Sequence, residues 1–132
     1  SSTTNGTLSG HKAVVETLTT SQTLDTADSG KVFLIATDSL TITLPATEAG
    51  LVYTFINSGA DGNNIITISP NASDAIHGTV TLAGSVVEFS GSDDADIVNT
   101  KATANTGDMI QLIADGSAGW YSTMSQGIWA NA

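Results

Sequence analysis

The stretch Gly107–Tyr121, G-D-M-I-Q-L-I-A-D-G-S-A-G-W-Y, constrains the fold most tightly. Met109–Ala114 is an apolar-biased run of strand length. Asp115-Gly116 and Gly119 break it, and Trp120-Tyr121 open the next run. Asp-Gly between two such runs is a strong short-range hairpin signal, with a loop longer than the tightest two-residue turn. The bulky aromatic pair on the return strand marks this hairpin as the element expected to close one end of a β core. Nothing in it has the form of a catalytic loop.

The rest of the chain repeats the pattern. Val32–Ala36 is apolar on both faces, which predicts a central strand. Leu40–Leu44 alternates Leu, Ile and Leu with Thr41 and Thr43, the signature of a half-buried strand, and Pro45 stops it. Pro45–Gly50 has room for one helical turn. Leu51–Asn57, Ile65–Ile68, Thr79–Leu82 and Ser85–Ser90 read as further strands, the last two as a hairpin about Ala83-Gly84. In all, about eight to ten short strands are expected, separated by turn signals as in a sandwich or barrel. The expectation is an all-β fold, a compact antiparallel β-sandwich or jelly-roll-like barrel. Residues 13–132 form a single β domain behind a flexible, polar N-terminal arm, residues 1–12.

Composition narrows the function. Hydrophobic residues are 40% and aromatics 5%, so the core is expected to rely on Val, Ile, Leu and Ala. Formal net charge is −10, with only Lys12, Lys31 and Lys101 as cations. Such a chain repels phosphate backbones and anionic bilayers, so neither nucleic acid nor a membrane is an expected partner. No apolar run reaches membrane-spanning length. The absence of cysteine removes disulfides and thiolate metal sites. The first seven residues lack the basic and apolar regions of a secretory signal, and a start at Ser1 fits either removal of an initiator Met or processing of a longer precursor.

Few residues suggest chemistry. Ser29-Gly30-Lys31 lacks the upstream glycine of a phosphate loop and is followed by Val32, so it reads as a turn before a strand. Asp93, Asp94 and Asp96 form the one carboxylate cluster, a weak Ca²⁺ candidate that misses the Gly and Glu positions of an EF-hand loop; a solvated acidic turn is favoured. His11 and His77 are too few for an imidazole-based metal site, and they read as an arm and a loop residue. Without a Gly-x-Ser-x-Gly elbow, Ser-His-Asp catalysis has no support. Neither an enzyme activity nor a cofactor is expected. Trp120, Tyr121, Ile128 and Trp129 are candidate subunit-interface residues; the three aromatics are also a candidate sugar platform, though tryptophans so placed more often close a core or an interface.

Several segments, taken in order, resemble a recurring β-module of tailed-bacteriophage virion proteins. They are Asp28–Phe33, Ile42–Pro45, Ala49-Gly50, Thr54–Asn57 with Gly59–Gly62, Ile68–Gly78, and Gly107-Asp108 leading to Gly119-Trp120-Tyr121. Such modules occur in small head decoration (cement) proteins and in tail-fibre or spike domains, and the short chain is more like the former. The resemblance implies a non-enzymatic structural protein, made in the host cytoplasm, that sits on the outer capsid surface of the virion. It further implies a homotrimer that bridges copies of the major capsid protein and stabilises the head. In that class an N-terminal arm often makes the capsid contact. By position this is Ser1, Ser2, Thr3, Thr4, Asn5, Gly6, Thr7, Leu8, His11 and Lys12. The alternative implied by the same module is a receptor- or glycan-binding part of a tail fibre or spike.

Overall fold

A computed structural model describes residues 12–82, 85–89, 91–93 and 95–131. Thirteen strands are present among them: β1 (Val15–Leu18), β2 (Gln22–Thr23), β3 (Val32–Ile35), β4 (Leu40–Thr43), β5 (Val52–Asn57), β6 (Ile66–Ser69), β7 (Ala75–His77), β8 (Thr79–Leu82), β9 (Ser85–Glu88), β10 (Ile97–Asn99), β11 (Met109–Ala114), β12 (Gly119–Gln126) and β13 (Trp129–Asn131). Two single 3₁₀ turns, Thr26–Asp28 and Lys101–Thr103, are the helical elements described. Pro45–Gly50 is an irregular turn rather than the helical turn its sequence allows.

The protein is an all-β sandwich of two sheets. The larger has strand order β1-β3-β5-β11-β12-β7 and the smaller β13-β10-β6-β4-β2; β8 and β9 form the separate hairpin that their sequence predicts. The expected antiparallel arrangement is corrected: both sheets are mixed. The first six strands alternate between the sheets, and each lies parallel to the strand two before it. Val15 pairs with Val32 and Val32 with Thr54 in one sheet. Gln22 pairs with Ile42 and Ile42 with Ile68 in the other. Parallel neighbours need a crossover, usually a helix. Here a strand of the opposite sheet is the crossover, so the first half of the chain is wound as a flattened coil. The second half completes each sheet with antiparallel pairs, β5-β11-β12 and β6-β10-β13.

The hairpin of Gly107–Tyr121 forms as read, but it does not close an end of the core. β11 and β12 lie inside the larger sheet, with β7 parallel to β12 outside them. Its turn is held by Asp115, whose Oδ1 accepts from the N–H of Ser117 (2.8 Å) and Gly119 (2.9 Å). Those backbone donors, Gly119 first, hold the Asp115 carboxyl below the usual range. Gly119, at φ +138, lies so close to the Ala75 backbone that an added Cβ would be 2.1 Å from its carbonyl oxygen. This glycine is therefore what lets β7 join the sheet.

Strand alternation delivers one face of each sheet to the core. Phe33, Ile35, Tyr53, Phe55, Ile110, Leu112 and Trp120 from the larger sheet meet Leu40, Ile42, Ile66, Ile68, Ile97 and Trp129 from the smaller, all buried. Scarce aromatics do not mean an aliphatic core: six of the seven aromatic side chains are buried. Phe33 stacks on Phe55 at 5.6 Å, and Tyr53 lies between Phe33 and Trp120 at 6.3 and 5.5 Å. Each such side chain contributes about 1.5–3 kcal/mol by leaving water. The Tyr53 hydroxyl donates to the Asp25 carbonyl at 2.6 Å. Burial, then the nearby Asp28, Asp25 and Glu48, pushes its pKa up to about 12.

Candidate functional site

The residues nearest the sequence-predicted arm form one end of the larger sheet. Ser1, Ser2, Thr3, Thr4, Asn5, Gly6, Thr7, Leu8 and His11 lie outside the described residues; Lys12 is described and exposed. The chain then enters β1, the outermost strand of the sheet. β1 pairs with β3 on one side and with no strand on the other among the described residues. Val14 and Val15 are exposed there at 58% and 57%. An edge strand presents backbone donors and acceptors ready to pair with another chain.

The floor of this edge is rigid for reasons visible in the local chemistry. Asp25 caps the 3₁₀ turn Thr26–Asp28 by accepting from Ala27 N at 2.8 Å, and Asp28 answers by accepting from Asp25 N at 3.1 Å. Ser29 Oγ accepts from Val52 N at 3.1 Å, and Gly30, at φ +88, donates to Val52 O at 2.8 Å. Lys31 reaches Asp28 (2.7 Å) and Glu16 (3.0 Å). The Lys31 ammonium holds the Asp28 carboxyl below its usual range, and the two carboxylates raise the Lys31 pKa. Ser29-Gly30-Lys31 is thus a turn whose cation is spent on tying β1 to the 3₁₀ turn. Beside it a shallow groove is lined by Lys12, Ala13, Val14, Ala27, Ser29, Gly30 and Lys31.

The other predicted positions scatter. Trp120 and Trp129 are 0% exposed inside this one chain, so of the roles open to them it is core packing that the structure has, not a subunit interface or a sugar platform. Trp129 Nε1 donates to Gln126 O at 3.0 Å, and Trp120 packs on Tyr53. Tyr121 is 44% exposed and Ile128 is half-buried, so these two keep a surface. Asp93 is exposed and Asp96 half-buried, and Asp94 lies outside the described residues. Among the described residues no three carboxylates or imidazoles are placed to hold a metal ion. His77 sits at the end of β7 rather than in a loop, its ring stacked 5.0 Å from that of Tyr121. It lines a second recess with Gly78, Glu88, Phe89 and Gly91, and its Nε2 is buried with no hydrogen-bond partner among the described residues.

One polar cluster had no sequence signal. Asn57, Asn64, Asn99 and Asp108 are all buried. Asn57 Nδ2 donates to Asn99 Oδ1 (2.8 Å), and Asn99 Nδ2 donates to Asp108 Oδ2 (3.0 Å) and Ile128 O (3.1 Å). Asn57 Oδ1 accepts from Gly59 N (3.0 Å) and Asn64 Nδ2 (3.3 Å). Asn57 ends β5 in one sheet and Asn99 ends β10 in the other, so the amides lock the two sheets together at one end. Buried and satisfied, this cluster is structural. In sequence Asn57 reads as the end of a strand and Asn64 as part of a Gly-Asn-Asn turn, and nothing local joins them to Asn99 or Asp108.

Among the described residues no helix is long and apolar enough to cross a membrane. Comparison with known protein families and with curated proteins finds no match to this chain.

Proposed function

We propose that this chain is a non-enzymatic structural protein of a phage virion, a homotrimer that decorates and stabilises the outer capsid lattice by binding the major capsid protein. The observation that supports this reading most is the position of β1. The polar arm leads directly into an outermost strand with an unpaired side among the described residues and two exposed valines. An arm that extends along such an edge, or onto a neighbour's edge, gains main-chain hydrogen bonds, and repetition on a lattice adds avidity. The rigid sandwich behind it supplies a body that resists outward pressure. The ordered likeness to virion β-modules supports the same reading. The rival reading, a glycan-binding fibre tip, is weakened because two of its three platform aromatics are in the core.

The test is binding of the purified full chain to expanded, undecorated heads of the source virus, read by co-sedimentation and by the temperature at which heads rupture. The expected outcome is saturable binding at a copy number comparable to the capsid protein and a raised rupture temperature. Removing residues 1–11 is expected to abolish binding while leaving the far-ultraviolet spectrum of the sandwich intact. Absence of head binding, together with binding on a glycan array or to host cells, would replace this reading with the tail-fibre one.

A further inference from the structure

The two outer faces of the sandwich differ in a way the fold does not require. A sheet with one face in a core normally turns polar residues to water. The smaller sheet obeys, with Thr41, Thr43, Thr67 and Ser69 opposite its buried Leu and Ile positions. The larger sheet does so only in part: Thr17, Thr54, Gln111 and Thr123 share its outer face, Gln111 bonding Thr54 (2.9 Å) and Thr123 (3.0 Å), and apolar side chains fill much of the rest. By alternation and register, Val32 and Leu34 on β3, Val52 and Ile56 on β5, and Met109 and Ile113 on β11 all point away from the core. Tyr121 and Met124 on β12 and Val15 on β1 extend the same face and are 44%, 53% and 57% exposed. No strand position on this face carries Asp, Glu, Lys or Arg, although the chain has a net charge of −10. Sequence alone reads β3 as central because it is apolar on both sides. The structure supplies an inner cover for Phe33 and Ile35 and leaves Val32 and Leu34 half-exposed.

We propose that the outward face of the six-stranded sheet is the surface on which this chain associates with further copies of itself. Charge selects the occupant. A basic partner would be drawn to the faces and loops that hold the carboxylates, not to a face without any. Two copies at −10 repel unless the carboxylates stay at the rim, and a charge-free face is what lets them approach. Area agrees. Six strands about 4.8 Å apart and about 17–20 Å long present about 500 Å² of plan area per copy. Paired, that is about 1,000 Å², the lower bound for specific association. The inference rests on the self-association in the proposed function but not on its trimer or its capsid contact: one face meeting the same face of another copy closes a twofold pair, and a trimer needs a second contact beside it.

Both methionines of the chain, Met109 and Met124, lie on this face, which provides a probe. The experiment uses the full chain without heads, from about 1 to 100 µM, at low and high NaCl. Sedimentation equilibrium is expected to give an integer multiple of the 13.4 kDa chain mass, favoured by salt as repulsion is screened. Peroxide oxidation of Met124, read by mass spectrometry, is expected to slow several-fold as concentration rises. The pair I113E/M124E is expected to raise the dissociation constant at least tenfold, whereas T41E/T67E on the opposite face leaves it unchanged. If I113E/M124E does not fold, concentration-dependent protection of Met124 in the native chain still decides the matter. A native chain that stays monomeric at 100 µM overturns the proposal. So does Met124 protection independent of concentration, which would mean that the chain's own arm covers the face. Loss of head binding with self-association intact counts against the proposed function and not against this surface.

Discussion

Replacing Asn99 with Ala tests whether the amide cluster joins the two sheets. Asn99 is 0% exposed and makes three side-chain hydrogen bonds. The truncation strips Asn57 Nδ2 of its acceptor and Ile128 O of its side-chain donor. Asp108 Oδ2 keeps the N–H of Asn105 at 2.9 Å. One buried group, Asn57 Nδ2, and one part-buried group, Ile128 O, are thus stranded, at about 1–3 kcal/mol each with the second at the low end, beside the packing lost with the amide. A central figure of about 4 kcal/mol follows, against a total of about 5–15 kcal/mol for a domain. For a chain of this size about 1 kcal/mol moves Tm by about 3–4 °C, so Tm should fall by about 12–16 °C. Urea unfolding at pH 7, followed by tryptophan fluorescence, measures it directly because both tryptophans are buried. Thr41→Ala, an exposed position on the outer face of the smaller sheet whose side chain bonds no member of the cluster, is the control and should stay within about 0.5 kcal/mol. Asn99→Asp sharpens the test. It keeps one acceptor but places a carboxylate where the donor to Asp108 stood, so it should be worse than Ala at pH 7. The new carboxyl would have a raised pKa when folded, so its penalty should ease as pH falls. An Asn99→Ala protein within about 1 kcal/mol of the native chain, or an Asn99→Asp penalty independent of pH, would refute the assignment of this cluster as the clamp between the sheets.

Gly127→Ala should cost more than a surface substitution, about 2–4 kcal/mol, because its φ is +87 and an added Cβ would lie 2.2 Å from the Asp108 carboxylate; a melting curve shows it. Tyr53→Phe leaves the Asp25 carbonyl without its hydroxyl donor and should cost about 1 kcal/mol, with the 3₁₀ turn exchanging its amide hydrogens faster. Lys31→Met removes the cation that lowers the Asp28 pKa. A lowered folded pKa stabilises above the ordinary carboxylate value and is lost as pH falls through the folded value. The Tm gap between native and Lys31→Met proteins should therefore be full at pH 5–7 and close below about pH 4; a gap that widens with acid would contradict the ion pair.

Strand existence, the hairpins and the turn at Ser29-Gly30-Lys31 were legible because they depend on alternation and on Gly, Pro, Asn and Asp at breaks, all of which are local. Strand direction was not. An alternating run such as Leu40–Thr43 looks the same whether its neighbour runs parallel or antiparallel, so the coiled first half stayed hidden until β1, β3 and β5 were seen side by side. β2 and β7 were missed because two or three residues carry no period. Whether Trp129 packs inside the chain or against a neighbour stayed open in sequence for a related reason. Position near a chain end says nothing about depth, and Trp129 is drawn inside by β13 pairing with β10.

What the sequence determined by itself was an acidic, cysteine-free, all-β chain with a polar N-terminal stretch, since charge, residue type and alternation are additive along a chain. What only the tertiary structure decided was which sides of those strands meet. It set Asn57 against Asn99 and buried six of the seven aromatics. Among the described residues it also left one uncharged, largely apolar face exposed, opposite one lined with hydroxyls. Those outcomes depend on pairing order and register between residues far apart in the chain, and no local pattern encodes them.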